Sequence, residues 1–125
     1  MEAREGMAAA ALLGGMAFAN SGLGAAHGIG MAVGIAYHVP HGEACGILLP
    51  HVMKLNQKKA EERMAKIGEA LTGRRFAKPE EGAQAAVDFI LELNAHMEIK
   101  PDFKHLGIPR EDIEKTGEGP ATEPA

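Results

Sequence analysis

Tryptophan is absent from these 125 residues, tyrosine occurs once, phenylalanine four times and cysteine once. A chain so poor in rings offers no platform for stacking single-stranded bases. Its core must be filled by Leu, Ile, Val, Met and Ala, which suits helices that approach closely. The lone Cys45 rules out an intramolecular disulfide. Basic excess is missing as well: 13 Lys and Arg stand against 17 Asp and Glu, for a net charge of -4. Nucleic-acid binding needs concentrated positive surface, so no nucleic-acid partner is expected. The uncharged stretch at residues 7–19 (MAAAALLGGMAFA) is too short to span a bilayer and is rich in Ala and Gly. It reads as a buried helix, and no membrane partner is expected. Nothing at the amino terminus has the form of a signal peptide, which makes a cytoplasmic location the expectation.

Sustained alternation of apolar and polar residues is also lacking, and the β-branched residues are scattered. The expected fold is therefore all-α, a bundle of about five helices. The first covers residues 2–19, with Glu2 and Glu5 favouring the helix dipole in its first turn. The second starts near Ser21 or Gly22 and carries Leu23, Ala26, His27, Gly30, Met31 and Gly34 at helical spacing. Each interior Gly costs about 1 kcal/mol against Ala, so several together imply close packing or close approach of a ligand. The third segment opens at His41 or Gly42 and should be kinked or divided at Pro50. Residues 57–71 set Met64, Ile67 and Leu71 on one face, with Ala60 a turn earlier. Pro79, Glu80 and Glu81 start a fifth helix reaching about Met97, its apolar face including Ala86, Phe89, Ile90 and Leu93. A short helix is expected over residues 110–115. One domain, residues 1–115, is followed by GEGPATEPA within a tail, 116–125, that is expected to be disordered.

What the chain does have is histidine among small residues. Three of its six histidines, His27, His38 and His41, fall in the stretch NSGLGAAHGIGMAVGIAYHVPHGEACGILLP at residues 20–50. On a helix lined with Gly and Ala, the His27 imidazole is either a metal ligand or a hydrogen-bonded core histidine. His41 follows a proline where a helix begins and is either a ligand or a capping residue. A helix ending near Gly34 rises only about 10 Å beyond His27, and the six residues to Pro40 span up to about 20 Å when extended. Both rings can therefore meet at one ion. His38 reads as solvent-facing, His51, His96 and His105 as surface or structural. Cys45 reads as a small buried apolar residue rather than a nucleophile. The run GLGAAHGIG is not a dinucleotide fingerprint, because no strand precedes it.

The pattern G-x-x-H at residues 24–27 followed by P-H-G at residues 40–42 resembles the signature of the iron-containing (group III) alcohol dehydrogenases. The resemblance is close from residue 3 to 56 and weaker to about residue 113. Members of that family are longer, with an amino-terminal α/β domain for NAD or NADP and a carboxy-terminal helical domain holding a metal through an Asp and three His. This chain looks like part of the helical domain, a fragment in which the Asp and the first His are absent. The resemblance carries His27 and His41 over as metal ligands and Phe18, in MAFAN, as a residue lining the substrate pocket. Met31 takes the place of a histidine implicated in proton transfer. After GIPREDIEKTG, relatives continue with a further helix and an Asn-Pro motif, which GEGPATEPA replaces.

The implied activity is metal-dependent, NAD(P)-linked interconversion of alcohols and aldehydes. The isolated chain is expected to be inactive, with no nicotinamide site of its own. Two imidazoles leave an Fe(II) site short of ligands and favour Zn, Ni or Cu instead. The alternative is a helical metal-binding or assembly module, or one subunit of a split enzyme. Either way the expected partner is a second copy, giving a homo-oligomer, or a chain supplying the missing nucleotide-binding domain.

Overall fold

The computed structural model describes residues 1–112. Five helices follow one another: α1 (Glu2–Ser21), α2 (Ala25–Tyr37), α3 (His41–Asn56), α4 (Glu61–Thr72) and α5 (Pro79–His96), with a 3-10 turn at Lys104–Leu106. No strand occurs among the described residues, and the all-α expectation holds. Helical backbone begins again at Arg110; the rest of the expected 110–115 helix and the 116–125 tail lie outside the described residues.

Local chemistry sets the boundaries. Gly22 leaves the helical region at φ 75° and donates its N–H to the Phe18 carbonyl at 2.8 Å, ending α1. Gly24 is still extended, so α2 starts at Ala25, later than the glycine-rich sequence suggests. His38 adopts the left-handed conformation at φ 54° and closes α2. Pro40 then caps α3, its carbonyl accepting the Ala44 N–H at 3.0 Å. Residues 57–60 turn rather than extend a helix, with the Asn56 carbonyl accepting the N–H groups of Lys59 and Ala60. Pro79 occupies the first turn of α5, where its missing N–H costs nothing.

Pro50 does not divide α3, which runs unbroken around it. A proline in mid-helix leaves the carbonyl four residues earlier without its donor, here that of Gly46. Asn94 on α5 supplies the replacement, its Nδ2 donating to the Gly46 carbonyl at 2.8 Å. The break is thereby repaired and α3 is tied to α5.

The most intimate packing joins α4 to α5. Gly68 and Gly82 face each other so closely that a Cβ on Gly68 would collide with the Gly82 carbonyl, and one on Gly82 would lie 2.9 Å from Ala65 Cα. Met64, Ala83 and Val87 form the buried cluster beside this contact, flanked by Met53, Ala60 and Leu91. The interface thus runs along small residues. Ile67 and Leu93, expected on the apolar faces, are exposed: the seam centres on Gly68 and Gly82, with Met64 and Val87 rather than these two beside it. A second cluster joins Val33, Val39 and Ala44 to Ile29, Tyr37, Phe103, Leu106 and Ile108.

α1 corrects another expectation. No residue of α1 is buried, and Met7, Leu12, Leu13 and Met16 are exposed. Absence of charge suggested burial, but burial also needs a partner, and α1 packs substantially on none of the other helices. It meets α2 at a bend of 106°, and no single helix is long and apolar enough to cross a membrane.

Candidate metal centre

His27 lies in the first turn of α2 and His41 is the first residue of α3. The left-handed His38 and the cap at Pro40 reverse the chain between them, folding α3 back along α2. The two rings meet edge to face, centroids 4.6 Å apart and planes at 76°. His27 is half-buried and His41 exposed, so one side of the pair opens to solvent. The convergence expected from the sequence is present, with α2 ending three residues later than the Gly34 assumed for it.

A third donor stands beside them. Cys45 follows His41 by one helical turn, and its Sγ is 3.6 Å from His41 Nε2. One donor atom from each of His27, His41 and Cys45 falls within 4.8 Å of the others. Reading Cys45 as simply buried and apolar was wrong: it is half-buried and turned toward the imidazoles. The discoverable signal was H-x-x-x-C at residues 41–45, because on a helix residues four apart share a face. Partial burial pushes the Cys45 thiol above its ordinary pKa. A protonated thiol is a poor nucleophile.

The other sequence candidates lie elsewhere. Phe18 is near the end of α1, exposed, and the ring pair does not extend to it. Met31 is exposed one turn beyond His27. His38 is exposed at its turn. His51, His96 and His105 each use a ring nitrogen against a backbone carbonyl, of Pro101, Glu92 and Asp102, at 2.9 to 3.2 Å. An apolar cleft of about 340 Å³ is lined by Ile29, Val33, Tyr37, Leu48, Phe103 and Ile108. Ile29 and Val33 are turned roughly 160° and 120° around α2 from His27, and none of His27, His41 and Cys45 lines this cleft.

A helical bundle whose second and third helices bring two imidazoles and a thiol together defines a class: an α-helical domain with a candidate metal-ligand group. The sequence model of the Fe-containing alcohol dehydrogenase family, C-terminal, matches residues 1–121. NADPH-dependent butanol dehydrogenase of Clostridium saccharobutylicum is 40% identical over 114 residues, covering 90% of this chain and 29% of that protein. Lactaldehyde reductase of Escherichia coli K12 is 37% identical over 113 residues, covering 90% and 30%. A crystal structure of 1,3-propanediol oxidoreductase superposes with a TM-score of 0.86 at 36% identity, over 94% of this chain and 31% of that one. This chain belongs to the Fe-containing alcohol dehydrogenase family, as part of its C-terminal helical domain, and spans about 30% of the length of these relatives.

Proposed function

We propose that the chain supplies the metal-holding helical part of an NAD(P)-linked alcohol dehydrogenase, with His27 and His41 as ligands to a divalent ion. The observation that carries this reading is the edge-to-face pair of imidazoles at the two signature positions, brought together by the 38–40 turn. Iron is the family's metal, and imidazole nitrogens accept Zn or Ni as readily. Bound there, the ion supplies Lewis-acid polarisation of an alcohol or carbonyl oxygen.

The chain's own residues contribute position and access. Pro40 fixes the start of α3 and with it the His41 ring. The half-buried setting of His27 holds the other ring, and the open side at His41 admits a substrate oxygen. Phe18 is assigned to the substrate side by resemblance to the family. Met31 has no titratable group and cannot relay a proton from its position. With hydride transfer belonging to a nicotinamide bound by an α/β domain, the chain is expected to be inactive alone.

Tag-free protein should carry about one divalent metal ion per chain by mass spectrometry, lost in the His27→Ala, His41→Ala double variant. No metal in either protein would overturn the assignment.

The bare α1 supports a second component of the reading. A helix with Met7, Leu12, Leu13 and Met16 all exposed is a packing surface. In the complete enzyme it is proposed to be covered by protein outside this chain, including the nucleotide-binding domain. The isolated chain should therefore self-associate through it into dimers or larger species in sedimentation at micromolar concentration. A compact monomer would refute this.

A further inference from the structure

We infer that Cys45 is a third ligand of this centre, its thiolate joining His27 and His41 to hold a thiophilic divalent ion, with zinc as the preferred occupant. The inference rests on the reading of His27 and His41 as ligands and goes beyond it in donor set and metal choice. Zinc bonds of about 2.3 Å to sulfur and about 2.0–2.1 Å to imidazole nitrogen, opened to a tetrahedral angle, put sulfur and nitrogen about 3.6 Å apart. Cys45 Sγ and His41 Nε2 are 3.6 Å apart. His27 completes the triangle with a donor atom within 4.8 Å of both.

The backbone is arranged around the thiol. Gly30 on α2 faces it, and a Cβ there would lie 3.0 Å from Cys45 Sγ. The chain thus leaves at Gly30 the space that the sulfur occupies. The thiol also reaches the Ala26 carbonyl at 3.9 Å, a long and weak hydrogen bond that a metal bond would replace. Three protein ligands and an exposed His41 leave the fourth position for water or a substrate oxygen. Thiolate and imidazole together select Zn over the harder Fe(II). On binding, the S–H bond of Cys45 breaks, the proton passes to solvent and the sulfur lone pair forms the metal bond.

Cobalt(II) reports sulfur directly. Titrating the metal-free chain with Co(II) should produce an intense near-ultraviolet charge-transfer band in addition to the weaker visible bands. In Cys45→Ser, which leaves shape nearly unchanged and whose fold is checked by far-ultraviolet circular dichroism, that band should vanish and Zn(II) affinity should fall tenfold or more. Saturating Zn(II) should also slow alkylation of Cys45 by iodoacetamide at least tenfold. If Co(II) binds without the charge-transfer band, Cys45→Ser binds Zn(II) as tightly as the parent, and only the His27→Ala, His41→Ala variant loses metal, the inference is wrong and the two-histidine assignment stands. No binding of either ion by the parent chain overturns both.

Discussion

Gly68 in α4 meets the backbone of α5 at Gly82, whereas Gly30 in α2 meets the side chain of Cys45 on α3. The two helix pairs have the same kind of residue at their crossing and opposite uses for it. Between α4 and α5 the glycines let the backbone at Gly68 rest on that at Gly82, with Ala65 against Gly82 and Met64, Ala83 and Val87 alongside. Between α2 and α3 the glycine makes room for a sulfur, and the neighbouring turn brings two imidazoles to the same end. One pair is closed on itself, and the other holds the candidate metal-ligand group at its end. Asn94 couples them, since its bond to the Gly46 carbonyl makes α5 a support for the helix that carries His41 and Cys45.

Alanine at the two glycines breaks this comparison most sharply. In Gly68→Ala the new methyl runs into the Gly82 carbonyl and crowds the Ala86 nitrogen at 3.2 Å. Backbone atoms cannot rotate away, so the helices must part. Overpacking costs about 1–3 kcal/mol or more, and the gain of about 1 kcal/mol in helix propensity does not offset it. Urea unfolding should show a loss of about 2 kcal/mol or complete loss of cooperative folding, a large part of a typical domain's stability. In Gly30→Ala the obstacle is a thiol able to change rotamer, with the Cys45 nitrogen 3.4 Å away. Cost and propensity gain nearly cancel at about 1 kcal/mol each, so the urea midpoint should hardly move while Zn(II) affinity falls about tenfold. Equal destabilisation by both substitutions would erase the distinction between the pairs.

How far the sequence revealed these pairs depended on whether the signal was local. The start at Pro79 is carried by the backbone chemistry of one residue, and it was legible. So was the meeting of His27 with His41, because the turn between them is short and both belong to a recognisable pattern. The seam of α4 on α5 was legible only in part: Met64 and Ala86 are buried as expected, but Ile67 and Leu93 are exposed, because the contact is set by Gly68 and Gly82, whose lack of a side chain no hydrophobic pattern records. Pro50 looked like a break because its repair comes from Asn94, 44 residues later. Cys45 was read by composition, its Ala, Gly, Ile and Leu neighbours, when its spacing from His41 carried the information. α1 was misjudged because absence of charge describes the helix alone, and burial is a property of two surfaces.

The smallest effect sharpens the comparison at the far side of the site-bearing pair, where α2 is held by the segment that follows α5. Tyr37 donates its hydroxyl to Asp112 Oδ2 at 2.7 Å, joining the end of α2 to the helical backbone at residues 110–112. That hydrogen bond to a carboxylate is the main reason the Tyr37 pKa is raised above its ordinary value, with burial and the charge of Asp112 adding to it. A raised pKa means that the folded chain holds the phenolic proton more tightly than the unfolded chain does. The stabilisation is therefore complete below the unfolded value of about 10 and is lost as pH rises through the higher folded value. Because the chain has a single tyrosine, its ultraviolet tyrosinate absorbance reports this group alone. The midpoint should lie above 10 in the parent chain and return toward about 10 in Asp112→Ala, with the urea midpoint at neutral pH slightly lowered. Identical midpoints in the two proteins would mean that the tie to Asp112 does not form in solution, and that α2 is held against α3 by the Val33, Val39 and Ala44 cluster without this clasp.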